Sequence, residues 1–420
     1  MKGLRRLAWI FITIGACSGD GVPVGESWVV ERQSVGDTLV VRTISGSVWG
    51  EPIEMVEDFF IGALDGPEEL LFTWIGAIAV DQHGGIYVFD WQVPALRYFD
   101  ADGRYVRTLG REGRGPGEYG SWSNMFFQFH QLPGQQRELT TITGALTVRQ
   151  DGMVLLADLN NVRLNLYRAD GSYSEQWSMP GGMYSRQGIA VDTAGRTYIS
   201  IVTRPIDGTA ALDVAYQRLD ADGSVLDTIR VPTLEGEPEH RALLPTDPTK
   251  EHAVSPLGHM IVGVTDDYVF DVRPPNGPTV RIEKVYAPVG FSAEELAEWQ
   301  AVIDWLERLE HPGQVNDVRS AKLAYHSFLT DRQGRIWVRL HVAARKDEAT
   351  EVTSREYGGP PLISWVEPAV YDVFEPDGTY LGEVHFPWST WPLLVHGDTA
   401  WGVRRGDSDE QYVVRLVMVR

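Results

Sequence analysis

Residues 75–109 read IGAIAVDQHGGIYVFDWQVPALRYFDADGRYVRTL, and this stretch decides the fold. Four short apolar runs are separated by turns rich in Gly, Asp and Pro. The first turn contains Gly84, and the last contains Asp102-Gly103, so the two turn glycines lie 19 residues apart. An Asp-Gly pair tolerates the positive φ angle that a tight hairpin needs. The stretch therefore predicts a sheet of four short antiparallel strands.

The same pair of turns recurs along the chain. Two further pairs keep the spacing of 19 residues, and two more carry insertions that lengthen it to 28 and 44 residues. These four pairs begin at Gly152, Gly258, Gly195 and Gly334, and they end at Gly171, Gly277, Gly223 and Gly378, respectively. A four-stranded unit repeated in this way is typical of the blades of a β-propeller.

A sixth blade is expected near the C-terminus, where the stretch Leu393 to Val419 supplies three strands. The segment Ser27 to Ile44 contains two strand-like runs and is available as the fourth. Pairing of an early strand near Val40 with the closing strand near Val413 would hide both sheet edges. We therefore predict an all-β, six-bladed β-propeller closed by an N-terminal strand.

Two insertions interrupt the repeat. Residues 287–322 contain Ser292 followed three residues later by Glu295, a capping box, and then apolar residues at helical spacing. The apolar residues are Leu296, Trp299, Ile303 and Leu306. The pattern predicts a short helical insertion between blades four and five. Residues 342–366 are polar and contain Gly358-Gly359-Pro360-Pro361, so a long loop is expected inside blade five.

Composition and charge favour one large exported domain. The 420 residues are 43% apolar and 10% aromatic, which is enough for stacked sheets in a single ring. The formal net charge of −21 would repel a phosphate backbone, so a nucleic acid partner is not expected. An acidic surface of this kind keeps an exported protein soluble, and we expect a monomer.

The N-terminus has the layout of a secretory signal. Three cations in residues 1–6 precede an apolar run from Leu7 to Ile14, and the small pair Gly15-Ala16 follows. The stretch Ile14-Gly15-Ala16-Cys17 resembles a bacterial lipobox, which implies cleavage before Cys17 and acylation of its sulfur. The alternative is a plain signal peptide with an incidental cysteine.

These observations divide the chain into a lipoprotein signal peptide (1–16), a flexible tether (17–26) and one propeller domain (27–420). The resemblance implies lipid anchoring in the cell envelope. Ser18, which follows Cys17, indicates the outer membrane, after the pattern of Gram-negative lipoproteins.

Blade two resembles the NHL repeat, in which Asp, Asn and Arg follow a strand in the order Val-x-Asp-x-x-Asn-x-Arg. Asp158, Asn161 and Arg163 occupy these polar positions. Asp90 occupies the first of them in blade one, whereas Val93 and Ala95 replace the Asn and Arg. The resemblance implies that the Asp fixes a loop within its own blade and that Arg163 is the partner of Asp158.

A second resemblance extends over nearly all of the chain after the signal. The segment Gly110 to Tyr119 is similar to the linker after the first blade of bacterial six-bladed β-propeller lipoproteins, and the stretches Asp331 to Val338 and Tyr412 to Leu416 are also similar to that family. The resemblance implies the fold and an envelope location, and it implies no general enzymatic activity. The glycine amides of the linker could instead form an anion-binding nest.

Catalytic and metal-binding motifs are not evident in the sequence. Asp90 and Asp158 could form a carboxylate pair in the central channel, but a structural role within each blade is favoured. The ten histidines show no metal-ligand spacing, and structural roles are expected for His252, His259, His326 and His396. The run Thr265-Asp266-Asp267 lacks the pattern of a calcium loop and is expected to be a solvated turn. No catalytic residue, metal ligand or cofactor is therefore assigned.

Two functions remain open from the sequence. The first is a lipid-anchored binding or scaffold protein that presents one face of the propeller to a small molecule, a glycan or a protein. The second is a gluconolactonase-like hydrolase or lyase that holds Ca²⁺ or Zn²⁺ in the central channel, because other six-bladed rings have this chemistry. The absence of a catalytic motif favours the first.

Overall fold

The computed structural model describes residues 28–91, 93–120, 146–158, 160–179, 189–203, 213–238, 244, 246–308, 319–347, 361, 363–406, 408 and 410–420. Three strands precede the first blade, namely β1 (Val29–Val35), β2 (Thr38–Ser45) and β3 (Ile53–Ile61). A 3₁₀ turn, Glu68–Leu70, follows them.

Blades one to three follow in chain order. Blade one contains β4 (Ile75–Val80), β5 (Ile86–Asp90), β6 (Ala95–Phe99) and β7 (Tyr105–Leu109). Two short strands, β8 (Arg111–Glu112) and β9 (Glu118–Tyr119), pair in the connection that follows. Blade two contains β10 (Leu146–Val148), β11 (Val154–Asp158), β12 (Arg163–Tyr167) and β13 (Tyr173–Ser178). Blade three contains β14 (Ile189–Val191), β15 (Thr197–Thr203), β16 (Asp213–Leu219) and β17 (Val225–Arg230).

The second half of the ring contains the α-helix. Blade four contains β18 (Lys250–Val254), β19 (Met260–Val264), β20 (Val269–Arg273) and β21 (Thr279–Lys284). Helix α1 (Ala293–Arg308) follows it. Blade five contains β22 (Tyr325–Thr330), β23 (Ile336–Leu340), the short pair β24 (Arg345–Lys346) and β25 (Trp365–Val366), β26 (Val370–Phe374) and β27 (Tyr380–His385). Blade six contains β28 (Thr390–His396), β29 (Thr399–Arg405) and β30 (Gln411–Val419).

The blades form a closed ring. Within each blade, neighbouring strands are antiparallel, and they follow chain order except for the fourth strand of blade six. The innermost strand β4 of blade one contacts both β10 of blade two and β28 of blade six. The prediction of an all-β, six-bladed propeller is confirmed.

The turns explain why the repeat folds in this way. Asp81 Oδ1 accepts hydrogen bonds from the backbone N–H groups of His83 and Gly85, at 2.7 and 2.9 Å. This side chain satisfies the amides that a tight turn leaves without backbone partners. The outer turn of blade one needs a glycine for two reasons, its backbone conformation and the close approach of a neighbouring ring. Gly103 has φ +74°, and a Cβ atom there would lie 2.2 Å from the ring of Phe59.

The ring is closed by a strand from the N-terminus, but the segment Ser27 to Ile44 is not that strand. β3 is the fourth strand of blade six and runs antiparallel to β30, with Ile61 opposite Val413. A short connection links β3 to β4, so β3 lies at the junction between the first and last blades. The prediction that a strand near Val40 pairs beside Val413 is therefore wrong.

The predicted closing segment lies elsewhere in the ring. β1 and β2 form a hairpin, and β2 runs parallel to β21 of blade four, with Val40 opposite Arg281. β3 also pairs in parallel with β27 of blade five, with Val384 opposite Ile53. Residues 29–61, which we call the N-terminal belt, therefore contact blades four, five and six on their outer side.

Helix α1 confirms the predicted insertion between blades four and five. Ser292 Oγ accepts a hydrogen bond from the backbone N–H of Glu295 at 3.1 Å, as an N-cap should. Trp299, Val302 and Ile303 are buried and pack with Leu244 and residues of the blade five loop. In the part of the chain that the structure describes, no helix has the length and apolarity required to cross a membrane.

Candidate functional site

The two ends of the ring differ in the length of their loops. In a four-stranded antiparallel blade, the first and third turns lie at one end, and the middle connection and the link to the next blade lie at the other. The Gly84 and Asp102-Gly103 turns and their repeats therefore share one end, which we call the turn face. Helix α1 and the connection between β23 and β26 lie at the opposite end, the insertion face. Loops held by a rigid scaffold are the usual location of binding sites.

A central cavity of about 400 Å³ opens toward the turn face, since residues of the inner turns line it together with the innermost strands. Its carboxylates are already engaged. Asp192 binds Arg196 and Tyr198, at 2.7 and 2.9 Å, and Asp331 accepts from its own turn amides. Burial lowers the pKa of the lining residue His396 to about 3, and the positive charge of Arg332 acts in the same direction.

Asp158, Asn161 and Arg163 are brought together at the insertion-face end of blade two. Asp158 Oδ2 accepts hydrogen bonds from Asn161 Nδ2 at 2.7 Å and from Arg163 Nε at 3.1 Å. Asp158 Oδ1 accepts from the backbone N–H of Gly120 at 3.1 Å. This arrangement ties the end of the preceding connection to blade two. Asp158 is only 3% exposed, so its carboxylate serves the blade and not the channel.

The glycine-rich connection 110–119 has several backbone polar groups that are hydrogen-bonded within the protein. Arg163 Nη2 donates to the carbonyl oxygens of Gly115 and Glu118, at 2.8 and 2.7 Å. The backbone N–H of Gly115 donates to the carboxylate of Glu118, and that of Gly113 donates to the carbonyl of Tyr119. These amides are therefore used within the chain, which favours the connector interpretation over an anion-binding nest.

Asp90 has in blade one the role that Asp158 has in blade two, and its cationic partner is Arg97. Its carboxylate accepts from the backbone N–H groups of Thr73 and Trp74, and Arg97 Nη1 lies 3.6 Å from Oδ2. Arg97 stands two residues after Ala95, on the same side of β6. Arg97 therefore takes the place of the Arg that the NHL pattern has at the position of Ala95. The NHL pattern does not predict a cation at position 97. Asp90 and Asp158 each bind residues of their own blade and of the connection that precedes it.

Three side chains that the sequence analysis did not connect meet at the insertion-face end of blade five. His326 lies on β22, His341 directly follows β23, and Glu367 lies between β25 and β26. His326 Nε2 lies 3.3 Å from Glu367 Oε2, and His341 Nδ1 lies 3.2 Å from Glu367 Oε1. The two imidazole rings are stacked with centroids 3.4 Å apart. We call these three residues the insertion cluster.

A buried cation and a backbone amide support Glu367. Lys322 Nζ, which is fully buried, lies 2.8 Å from Glu367 Oε1 and 2.9 Å from Glu295 Oε1 on helix α1. It also donates to the carbonyl oxygen of Val342 at 3.1 Å, and the backbone N–H of Val342 donates to Glu367 Oε2 at 2.9 Å. Lys322 therefore links helix α1 to the insertion cluster.

Burial affects the pKa values of His326 and Glu367 in opposite directions. It lowers the pKa of His326 to about 4, and the nearby His341 and Arg339 act in the same direction. Burial alone would raise the pKa of Glu367, but the interaction with His341 and the hydrogen bonds from both imidazoles hold it well below its usual value. At neutral pH the cluster thus combines an ionised carboxylate with a neutral His326.

A repeat-by-repeat comparison explains how the two histidines meet. His326 lies in a β-bulge between Tyr325 and Ser327, eight residues before Gly334, and His341 lies seven residues after that glycine. Gly76 and Trp91 stand at the same distances from Gly84 in blade one. There the indole of Trp91 occupies the space that a side chain at position 76 would need. A Cβ atom on Gly76 would lie 1.4 Å from Trp91 Nε1. Alignment of the repeats would therefore have paired the histidines, but not Glu367.

The other residues considered in the sequence analysis have separate locations. His252 Nδ1 lies 2.8 Å from the hydroxyl of Tyr216 in the core, and His259 follows the inner turn of blade four. The side chain of Asp266 is 47% exposed and pairs with Arg319, so this run is a partly solvated turn. Cys17 lies outside the described residues.

Comparison with known proteins agrees with this architecture. A family model described as a 6-bladed beta-propeller (DUF5128) matches residues 53–128, which is less than a fifth of the chain. No curated protein matches the chain.

Several solved structures resemble the chain weakly. A Bacteroides fragilis protein, whose name assigns it provisionally to export, has a TM-score of 0.48 and 10% identity over 91% of this chain and 100% of its own. A DUF4221 family member from Bacteroides vulgatus has a TM-score of 0.45 and 10% identity over 88% and 99% of the two chains. A Xanthomonas campestris gluconolactonase has a TM-score of 0.39 and 12% identity over 86% and 98%.

Proposed function

We propose that this chain is a lipid-anchored binding or scaffold protein of the bacterial cell envelope. Its ring presents the insertion face to a small molecule, a glycan or a protein. The observation that carries the proposal is the asymmetry of the ring: the turn face has tight turns, whereas the insertion face carries helix α1, the long connection of blade five and the insertion cluster. A rigid ring with variable loops at one end is suited to selective binding.

Photo-crosslinking in the envelope tests which face binds. A photoreactive residue replaces Trp388, which is 38% exposed in the blade five to blade six connection at the insertion face. The matched control replaces Ala194, an exposed residue in an inner turn at the turn face. We expect a discrete crosslinked product from position 388 and none from position 194. Products from position 194 alone would contradict the proposed face.

The anchoring part of the proposal rests on the lipobox resemblance around Cys17. A Cys17→Ser variant should lose incorporation of a palmitate label and should leave the membrane fraction. Wild-type protein that takes up no label would disprove the lipid anchor. This test does not depend on the insertion face.

The alternative is a cation-dependent, gluconolactonase-like hydrolase or lyase that uses the central channel. The cavity of about 400 Å³ is large enough for a small substrate. Its lining supports the alternative less well, because Asp192 and Asp331 are used by neighbouring side chains and turn amides. Hydrolysis of a lactone that is lost with a chelator and restored by Ca²⁺ would favour the enzyme over the binding protein.

A further inference from the structure

The insertion cluster has the donor atoms of a transition-metal site. In the part of the chain that the structure describes, His326, His341 and Glu367 are the group of three His, Cys, Asp or Glu side chains whose ligand atoms all lie within 4.8 Å of one another. Two imidazoles and one carboxylate are a familiar ligand set for Zn²⁺ and for non-haem Fe²⁺. Ca²⁺ and Mg²⁺ prefer oxygen ligands throughout, so this set disfavours them.

The imidazole-to-carboxylate distances are compatible with metal ligation. The two imidazole-to-carboxylate distances are 3.3 and 3.2 Å. Ligands bound to zinc at about 2.0–2.1 Å with tetrahedral angles lie about 3.3 Å from one another. The separation of Glu367 from each imidazole is thus similar to that between two ligands of a small dication.

The supporting residues hold the donors in place. Glu367 is fixed by Lys322 and by the backbone N–H of Val342, and the histidines lie on or next to neighbouring strands. Such outer contacts orient metal ligands and tune their affinity. Lys322 need not leave when a cation enters, because it also binds Glu295 and the carbonyl oxygen of Val342.

Charge and access also fit a bound dication. The carboxylates of Glu367 and Glu295 and the ammonium of Lys322 together carry a formal charge of −1, which a dication would offset. The side chains of His326, His341 and Glu367 are 19%, 7% and 12% exposed, so solvent reaches part of the cluster. Three protein donors leave one tetrahedral position for water or for an oxygen atom of a ligand.

We propose that His326, His341 and Glu367 form a site for a transition-metal dication, with Zn²⁺ preferred over Ca²⁺ and Mg²⁺. The site lies within blade five, beneath helix α1, and so differs from a channel site built from several blades. It goes beyond the proposed binding function and does not require the lipid anchor.

Zinc binding by the full-length protein tests this proposal. The protein is purified from membranes in detergent, stripped with dipicolinate and titrated with Zn²⁺ in competition with a chromophoric chelator. We expect one zinc ion per chain, with an affinity for Zn²⁺ at least about 100-fold greater than for Ca²⁺. His341→Ala and Glu367→Gln should each weaken zinc binding at least about 10- to 100-fold. The control His385→Ala should bind zinc like the wild type, although His385 also contacts two carboxylates, Glu54 and Glu383.

A second readout uses the wild type alone and so does not depend on the variants folding. Co²⁺ in a tetrahedral site with nitrogen and oxygen ligands gives intense visible absorption bands, which Zn²⁺ should abolish by displacing it. Wild-type protein that binds no stoichiometric zinc or lacks these bands would overturn the proposal. Folded His341→Ala and Glu367→Gln variants that bind zinc like the wild type would also overturn it. None of these results bears on the Cys17 label or on which face is crosslinked.

Discussion

Arg163 shows how much of the fold can depend on one side chain. It is 8% exposed, pairs with Asp158 and donates to the carbonyl oxygens of Arg114, Gly115 and Glu118. Blade two and the connection before it therefore share one cation. Guanidinium suits this position because its fork of donors reaches several acceptors at once.

Removal of Arg163 should be costly. Arg163→Ala removes the cation paired with a buried carboxylate and one donor from each of three carbonyl groups, so we expect the free energy of unfolding to fall by about 3–5 kcal/mol. Arg168→Ala is the matched control, because Arg168 is exposed on the same blade, and should change it by about 0.5 kcal/mol or less. Denaturant unfolding measures both, and equal effects would contradict the role of Arg163.

His252 makes stability depend on pH. Burial lowers its pKa to about 4, with a smaller contribution from Lys250, whereas an imidazole in the unfolded chain has a pKa of about 6.5. Between these values the unfolded chain binds a proton that the folded protein does not, so stability falls as the pH falls. His252→Gln should remove about 2 kcal/mol of the loss between pH 6.5 and 4.5. An unchanged slope in this variant, or the same flattening in the exposed-residue control His83→Gln, would contradict this assignment.

At the scale of secondary structure, the alternation of side chains in β3 explains why this strand closes the ring. Ile53, Met55 and Ile61 are buried, whereas Val56 is 46% exposed and Phe60 is 52% exposed. The buried side chains pack against blade six and its neighbours, with Met55 beside Val414 and Leu416 in one cluster. This one-sided burial is what a fourth blade strand requires.

Adjacent substitutions in β3 can test the closure. Met55→Ala removes a buried side chain and should lower the free energy of unfolding by about 2–5 kcal/mol. Val56→Ala, at the next position on the exposed face, should lower it by about 0.5 kcal/mol or less. Thermal and denaturant unfolding compare the two. If Val56→Ala were the more destabilising change, the register of β3 against β30 would be wrong.

Local patterns predicted the blades better than their closure. The turn glycines and Asp-Gly pairs fix four strands at a time, because each hairpin is set by adjacent residues. Assignment of the last strand depends on pairing between distant segments. The sequences of β2 and β3 are both strand-like, so the sequence alone did not show which of them pairs with β30. The insertion cluster was missed for the same reason: Glu367 lies 26 residues after His341, across a long connection. The helix was predictable because its cap and apolar face are local.

For the whole molecule, β3 and β30 together determine whether the ring is closed. β3 pairs with β30 along most of its length, but with β27 at only two residue pairs. The hairpin of β1 and β2 instead extends blade four from the outside. The two parts of the N-terminal belt should therefore differ in importance.

Two deletions separate these roles. A chain that ends at Glu410 lacks β30 and should lose cooperative thermal unfolding and resistance to proteolysis. Deletion of residues 29–45 removes β1 and β2 but keeps the closed ring, so a cooperative transition should remain at a lower temperature. A cooperative, protease-resistant product of the first deletion would show that the ring does not need β30.

The pairing of β3 with β30 also affects the order of events during synthesis. About 350 residues separate the end of β3 from the start of β30. At roughly 5–20 residues per second, translation of that interval takes about 20–70 s. Throughout this time β3 lacks β30, its main pairing partner, so the nascent chain should depend most on holding chaperones before its final ten residues emerge.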